Sequence, residues 1–470
     1  MADDFLLDCL LSPLDTRYAK IVRPLRQFFS DDAFYAFRVQ VEVEYFSFFL
    51  EQVKGRSLSE AERKLLEKVS TPSRENVNLI KRIENEGING RPKTNHDVKA
   101  IEYFIKDSLK ETSLEEFTEL VHFGLTSEDV NNIAYGLMLS KAVNQEIIPS
   151  LQTVYSALVD LALKYKDLLM LARTHNQPAS PTTLGKELAV FAARLERQII
   201  NLTNQRISVK LNGATGNYNA LHLAYPEINW PDFSKRFIGY ISPKTNTNIE
   251  STLLTTQIIP ADSYAEMFNT IKLTSLVLQG LCQDVWEYIG REYFILKQDK
   301  GQIGSSTMPH KVNPIDFENA EGNYKKTKHL CNIIVEELPI SRQQRDLSDS
   351  TIKREFGEVL ARFYLANKML ARGLSKIEAN PDVLTEDLEK HPEVISEGIQ
   401  TILRREGNKD AYEKLMTLTQ GKKTTMEELR RFIQELDVTP TVREELLQLT
   451  PANYTGLASK IVEKGLIVKQ

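Results

Sequence analysis

The residues best suited to chemistry lie together between Gly304 and Pro314, which read Gly-Ser-Ser-Thr-Met-Pro-His-Lys-Val-Asn-Pro. This stretch offers hydroxyls, an imidazole, an ammonium group, an amide and several backbone N–H groups. Such a set can deprotonate a carbon next to a carboxylate, with Lys311, Asn313 and loop amides stabilising the enolate-like dianion that forms. The composition alone fits equally well a polar loop that leads into a helix at Pro314.

Two further histidines stand in polar stretches. His175 lies in Thr174-His-Asn-Gln-Pro-Ala-Ser180, and His96 lies in Thr94-Asn-His-Asp-Val-Lys-Ala100. A histidine suits general acid–base chemistry because its pKa of about 6.5 lies near the operating pH. Taken alone, His175 also fits a hydrogen-bonded residue at the start of a helix, and His96 fits a helix-capping or surface residue.

Arginines provide a possible site for an anion. The planar guanidinium suits a phosphate, although an isolated surface arginine would mean little. The formal net charge of -5 argues against a nucleic-acid-binding protein, which would normally show a basic stripe. A small anionic substrate remains compatible with that charge.

These residues must be positioned by helices, because the apolar pattern is helical nearly throughout the chain. The clearest predicted helix runs from about Ala261 to Lys297 without a proline. It is apolar on a second face as well, which includes Leu273 and Leu276. A helix of this kind must be surrounded, either inside a bundle or at an oligomer interface.

Other long helices indicate a three-domain organisation. One is predicted to begin at Thr126, with Asp129 completing a capping box, and to run to about Tyr165 with a kink at Pro149. Three more are predicted at about residues 183–205, 313–337 and 350–374. Five long helices suggest an elongated bundle. We therefore predict an N-terminal helical domain at residues 1–125, a central long-helix domain at 126–374 and a C-terminal helical domain at 375–470.

Several kinds of protein are disfavoured. The glycine-rich stretch 212–219 does not match a dinucleotide fingerprint, and Met416 stands where a phosphate-binding loop ending at Gly421 needs its first glycine. The three cysteines show no C-x-x-C spacing, which favours reduced core residues. The N-terminus is acidic, and no run approaches the ~20 apolar residues that span a bilayer. We expect a soluble cytoplasmic protein without a membrane or nucleic-acid partner.

The segment from Gly304 to Pro314 resembles the signature of the fumarase/aspartase superfamily, G-S-S-x-M-P-x-K-x-N-P, and every fixed position is present. The resemblance implies that Ser305 is the catalytic base and that Lys311 and Asn313 bind the carboxylate of the fumaryl portion. It also implies an all-α fold of three domains, in which the central helices of four subunits form one long bundle. Residues from three subunits of this homotetramer would meet in each active site.

Other segments are similar to motifs of the adenylosuccinate lyase family, particularly its bacterial-type members. The stretch around His175 resembles T-H-x-Q-P-A, whose histidine is the general acid, although Asn176 replaces a glycine common in bacterial-type relatives. Glu318 matches the carboxylate that pairs with this acid and keeps it charged. The remaining substrate-binding residues that the resemblance implies are Arg17, Tyr18, Asn95, His96, Asp97, Thr126, Ser127, Gln257, Arg345, Ser350 and Arg354.

The resemblance predicts elimination of fumarate from two anionic substrates of purine biosynthesis. These are adenylosuccinate, which gives AMP, and the succinylated imidazole-carboxamide SAICAR, which gives AICAR. No metal or organic cofactor is implied. One alternative is a sister lyase such as an argininosuccinate lyase, a branch that usually carries glutamine at the position of His310. A second is a non-catalytic helical scaffold, like the lens proteins related to this superfamily.

Overall fold

The structure is a computed structural model that describes residues 10–88, 90–297, 308, 310–421 and 424–467. It is built mainly of α-helices. The first six are α1 Ala19–Val22, α2 Arg26–Phe29, α3 Asp31–Gln52, α4 Glu60–Ser70, α5 Arg74–Asn85 and α6 Asp97–Ser108, with 3-10 turns at Arg23–Leu25 and Glu115–Leu120. Serine side chains cap α3, α4 and α5 by accepting backbone N–H groups, which gives each helix a defined start.

The helix predicted to begin at Thr126 is present, with its irregularity close to the expected proline. It consists of α7 Ser127–Ala142, a π-helical turn Val143–Ile147 and α8 Ile148–Lys164. Pro149 has no N–H, and its ring would clash with the carbonyl group of Gln145. The chain accommodates this by widening into a π turn, a common cause of helix bending.

Seven further helices lead to residue 374. They are α9 Leu184–Asn204, α10 Asn219–Ala224, α11 Trp230–Lys244, α12 Asp262–Gly290, α13 Ile315–Glu337, α14 Ser348–Lys353 and α15 Phe356–Leu374. The helix predicted to reach Lys297 ends earlier, at Gly290, and Glu292 then adopts a left-handed φ of 62°. The last predicted long helix is divided into α14 and α15.

The C-terminal helices are short. They are α16 Pro381–Glu389, α17 Ser396–Arg405, α18 Ala411–Thr419, α19 Met426–Gln434, α20 Pro440–Leu447 and α21 Ala458–Ile467, with a 3-10 turn at Pro392–Ile395. Their apolar faces surround a core that includes Leu403, Leu429 and Leu446, all completely buried. Leu171 also packs into this core.

Within the residues that the structure describes, six short strands form three two-stranded sheets. β1 Leu169–Thr174 and β2 Gln177–Thr183 are antiparallel, β3 Ile207–Val209 and β4 Ile249–Ser251 are parallel, and β5 Phe294–Leu296 and β6 Ile377–Ala379 are antiparallel. Each sheet is a local addition to a helical fold, since two strands are too few to enclose a core.

The chain divides into two compact units. Unit 1 comprises residues 1–151, 198–276 and 322–368, and unit 2 comprises residues 152–197, 277–321 and 369–470. The division falls inside several helices, so the predicted boundaries near 125 and 375 stay a prediction. In the part of the chain that the structure describes, none of the helices combines the length and apolar character needed to cross a membrane.

Candidate active site

One group of predicted site residues lies in unit 1, where α6 begins. Nδ1 of His96 accepts a hydrogen bond from the backbone N–H of Lys99 at 3.3 Å. A ring nitrogen that accepts carries no proton, so the neutral ring is protonated on Nε2. Nε2 lies 3.5 Å from Oγ of Ser127, and about half of the His96 side chain is exposed. His96 therefore presents an N–H donor toward Ser127 and solvent.

Asp97 and Asn95 flank His96. The NH2 nitrogen of Arg38 lies 2.8 Å from Oδ2 of Asp97, and Nε of Arg38 donates to Oδ1 of Asn131 at 2.8 Å. Because Arg38 is on α3 and Asn131 is on α7, one buried guanidinium fixes the start of α6 against α7. Asn95 has a left-handed φ of 47°, a conformation that asparagine tolerates better than most residues.

Thr126 and Ser127 stand at the start of α7. As predicted, Asp129 accepts a hydrogen bond from the backbone N–H of Thr126 at 2.9 Å. The prediction missed Lys210, whose Nζ lies 2.7 Å from Oδ1 of Asp129 with both side chains fully buried. Backbone N–H groups of the loop 212–219 also donate to Asp129. One carboxylate thereby ties this loop to the start of α7.

Arg345 belongs to a mostly buried cluster of two cations and two carboxylates. Its Nε lies 3.3 Å from Oδ1 of Asp349, and its NH2 donates to Oγ of Ser350 at 2.9 Å and lies 3.5 Å from Glu128. Lys353 contacts Glu128 at 3.0 Å and Asp349 at 2.7 Å. The four charges cancel, and NH1 of Arg345 makes no hydrogen bond within the described residues. Arg345 is therefore fixed in place with one donor nitrogen, NH1, available to an anion.

Arg354 lines a cavity of about 410 Å³ together with residues from near the N-terminus, including Ser12 and Asp15. Arg17 is exposed, and its guanidinium lies 5.8 Å from the centre of the Tyr18 ring. The cavity lining includes Arg354 but neither of these two residues. The binding of substrate by Arg17, Tyr18 and Arg354 therefore stays a prediction.

A second group lies in unit 2, where His175 occupies the turn of a β-hairpin rather than the start of a helix. Thr174 of β1 is opposite Gln177 of β2, so His175 and Asn176 form a two-residue turn. Both turn residues have positive φ, 53° and 60°, which is the pattern of a type I′ turn. Asparagine is favoured in such a turn, which explains why position 176 is an asparagine. The imidazole of His175 is exposed.

The last turn of α12 and the residue that follows the helix contact the predicted partner of the acid and the turn. Arg291 donates to Oδ1 of Asn176 at 2.6 Å. Trp286 donates through Nε1 to Oε1 of Glu318 at 3.2 Å, and Glu318 is exposed near the start of α13. The ion pairs of the described residues do not include one between His175 and Glu318, so that pairing stays a prediction.

The signature segment is described only in its second half. Ser305 lies outside the described residues. Lys311 is exposed, and its backbone N–H donates to the carbonyl oxygen of Met308 at 3.1 Å. Asn313 is partly buried just before α13. Gln257 is also partly buried, in the segment between β4 and α12 of unit 1.

The structure connects several of the predicted substrate-binding residues in unit 1. His96 is next to Ser127, Asp97 is tied to α7 through Arg38, and Arg345 bonds Ser350. The residues that hold them in place were not predicted, apart from the capping role of Asp129. The supporting residues that the sequence reasoning missed are Arg38, Glu128, Lys210, Asp349 and Lys353. Capping was predictable because its partners are three residues apart, whereas the contacts of Arg38, Glu128 and Lys210 depend on which elements pack together.

Comparison with known proteins shows the family and the fold of the chain. A family described as "Lyase" matches residues 16–327, and one described as "Adenylosuccinate lyase C-terminal" matches residues 341–455. Two solved structures share the fold at low sequence identity. A fumarate lyase from Mesorhizobium sp. BNC1 has a TM-score of 0.74 at 18% identity, covering 94% of this chain and 97% of that one. A 3-carboxy-cis,cis-muconate lactonizing enzyme from Pseudomonas putida has a TM-score of 0.70 at 19% identity, covering 95% and 96%.

These structures and the helical content confirm the predicted all-α, fumarase-like fold. Among curated proteins, the adenylosuccinate lyase of Haemophilus influenzae is 42% identical and covers 97% of this chain and 98% of its own length. That of Escherichia coli is 41% identical with the same coverage. That of Dictyostelium discoideum is 43% identical, covering 95% of this chain and 96% of its own. Similarity at this level over nearly the whole length shows that the chain is a lyase and belongs to the adenylosuccinate lyase family.

Proposed function

We propose that this chain catalyses the anti β-elimination of fumarate from adenylosuccinate, giving AMP, and from SAICAR, giving AICAR. The observation that carries the proposal is 42% identity to an adenylosuccinate lyase over 97% of the chain. Both substrates contain a ribose phosphate and a succinylated amine, so one set of binding residues can serve both. The following residue roles are part of the proposal.

His175 protonates the departing nitrogen of the substrate. Its imidazole is exposed in a tight turn, where a ligand can reach it. The proton must be donated over about 2.6–3.2 Å, so the position of the turn matters as much as the pKa of the ring. Glu318 keeps the imidazole charged by pairing with it, and Trp286 orients this carboxylate through the 3.2 Å hydrogen bond.

Ser305 removes the proton from the succinyl carbon next to the carboxylate. A serine hydroxyl is a poor base in water, since its pKa lies well above the ~10 of tyrosine. Lys311, Asn313 and backbone N–H groups must therefore stabilise both the alkoxide and the dianion that forms on the substrate. Exclusion of water from the site would strengthen these interactions.

The phosphate end of the substrate binds in unit 1. Arg345 supports this assignment because buried carboxylates fix its guanidinium while leaving NH1 available. The exposed Nε2–H edge of His96 and the start of α7 at Ser127 provide further donors for an anion. The elimination breaks one C–H bond of the succinyl portion and the C–N bond, so the phosphate end of the substrate stays unchanged during the reaction.

We also propose that the protein acts as a cytoplasmic homotetramer with active sites shared between subunits. Two apolar residues of α12 support the assembly, because Leu273 and Leu276 are 47% and 43% exposed in the single chain. Mixing the inactive variants Ser305→Ala and His175→Ala under subunit exchange tests shared sites. Recovery of activity supports sharing, whereas a mixture that stays inactive despite exchange contradicts it.

The first experiment is to mix the purified protein with adenylosuccinate and follow the purine absorbance as AMP forms. We expect turnover by the wild-type protein, its loss in His175→Ala and its retention in the control His329→Ala, since His329 is an exposed residue of α13. A folded protein that does not convert adenylosuccinate contradicts the proposal, and fumarate release from argininosuccinate would then identify the sister lyase. Near-normal turnover by a folded Ser305→Ala protein would refute the assignment of the base.

A further inference from the structure

The hairpin that carries His175 needs external support. Two antiparallel strands joined by a two-residue turn are marginally stable on their own in water. Proton donation nevertheless requires the imidazole to be held within a few tenths of an ångström. The position of His175 must therefore be set by the contacts that fasten β1 and β2 to the rest of unit 2.

The strongest of these contacts begins at Arg173, two residues before His175. The pairing of β1 with β2 shifts register between Leu171 and Arg173, where two steps along β1 face three steps along β2, so β2 contains one extra residue opposite this point. Irregularities of this kind re-aim a side chain and are frequent beside active sites. Here the side chain of Arg173 reaches Asp387 on α16, 214 positions away in the sequence.

The contact has the geometry of a specific clamp. NH1 and NH2 of Arg173 donate to the two carboxylate oxygens of Asp387 at 2.7 and 2.8 Å. The hydroxyl of Tyr293 lies 2.7 Å from NH1 of Arg173 and also donates to Asp387. The side chains of Arg173 and Asp387 are only 16% and 21% exposed. We call Arg173, Tyr293 and Asp387 the hairpin clamp.

The charge state of the hairpin clamp is stable around neutral pH. Burial would raise the pKa of Asp387, but the hydrogen bonds from Arg173 and Tyr293 outweigh it and lower the pKa below its usual value. Burial and the bond to Asp387 raise the pKa of Tyr293 to about 12, so its hydroxyl stays protonated. The clamp therefore does not titrate in the range where His175 would work.

Two weaker contacts act on the same hairpin. Arg291 bonds Asn176 within the turn at 2.6 Å. Ser180 of β2 donates to Glu397 at 3.1 Å, and Glu397 also accepts from Tyr454 at 3.1 Å. These bonds are more exposed than the clamp, and each is a single hydrogen bond rather than a bidentate pair.

We infer that the hairpin clamp positions His175 for proton transfer, which makes Arg173, Tyr293 and Asp387 positioning residues. This inference rests on the proposed function. The inference gives the C-terminal region a role in the reaction, because α16 supplies the carboxylate that holds the hairpin carrying His175.

The test is to measure kcat and KM of the full-length variant Asp387→Asn with adenylosuccinate. The substitution keeps the size of the side chain but removes its charge and one acceptor. Because a misplacement of 1 Å can cost about 100-fold, we expect kcat to fall roughly 10- to 100-fold while KM changes less than about threefold. Tyr293→Phe keeps the ring and removes one hydrogen bond, and we expect a smaller loss of kcat. This second variant serves if Asp387→Asn fails to fold.

The matched control is Glu445→Gln, which breaks the 2.6 Å ion pair with Arg405 among the same C-terminal helices, where both side chains are about half exposed. We expect wild-type kcat. Hydrogen exchange of residues 169–183 should become faster in Asp387→Asn and remain unchanged in the control. If the wild-type protein converts adenylosuccinate and both clamp variants do so at wild-type kcat, the inference about the clamp is refuted and the proposed function is not. A wild-type protein without turnover refutes the proposed function instead.

Discussion

Replacing Lys210 by methionine removes one half of an ion pair whose two side chains are both completely buried. Asp129 would keep the backbone N–H groups of Thr126, Asn212 and Gly213 but lose its only cation among the described residues. Leaving a buried charge without its counter-ion typically costs about 3–5 kcal/mol. At about 2.1 cal/mol/K per residue, unfolding of the whole chain has an entropy near 1 kcal/mol/K, so Tm should fall by about 3–5 °C.

The assay is thermal unfolding of Lys210→Met beside a matched control, Lys64→Met. Lys64 lies 2.6 Å from Glu60, but the two side chains are 73% and 83% exposed. An exposed pair contributes about 0–1 kcal/mol, so the control should lower Tm by no more than about 1 °C. Adding Asp129→Asn to Lys210→Met removes the remaining buried charge and should recover part of the loss. The reasoning is refuted if Lys210→Met costs no more than Lys64→Met, or if the double variant is less stable than Lys210→Met.

Three further substitutions have defined outcomes. Arg345→Ala should raise KM for adenylosuccinate about 10- to 100-fold in initial-rate assays, because charged hydrogen bonds contribute about 1.5–3 kcal/mol; an unchanged KM would exclude Arg345 from binding. His122 contacts the buried Glu42 at 2.5 Å; burial would lower the pKa of His122, but Glu42 overrides this and raises it. The Tm difference between wild type and His122→Gln should therefore be largest below pH ~6.5 and shrink as pH rises through the raised pKa, and a difference that grows with pH would contradict this. Asn176→Ala should cost about 1–2 kcal/mol in chemical unfolding because of its left-handed φ of 60°, whereas Asn176→Gly should cost less.

The sequence by itself determined the helices and the family. Apolar spacing over twenty or more residues predicted α9, α12 and α13, because a periodic pattern of that length has few alternative explanations. The capping box of Thr126 and Asp129 was predictable for the same local reason. The signature from Gly304 to Pro314 indicated the superfamily because its residue types and spacing are specific.

Only the tertiary structure decided what surrounds the chemical groups. The turn of His175 was missed because β1 and β2 are too short for a strand pattern to compete with the neighbouring helical periodicity. Lys210 and Asp129 are 81 positions apart, and Arg173 and Asp387 are 214 apart. No local pattern marks such partners, because whether a charged side chain is buried against its counter-ion or exposed depends on the packing of elements that are distant in the sequence.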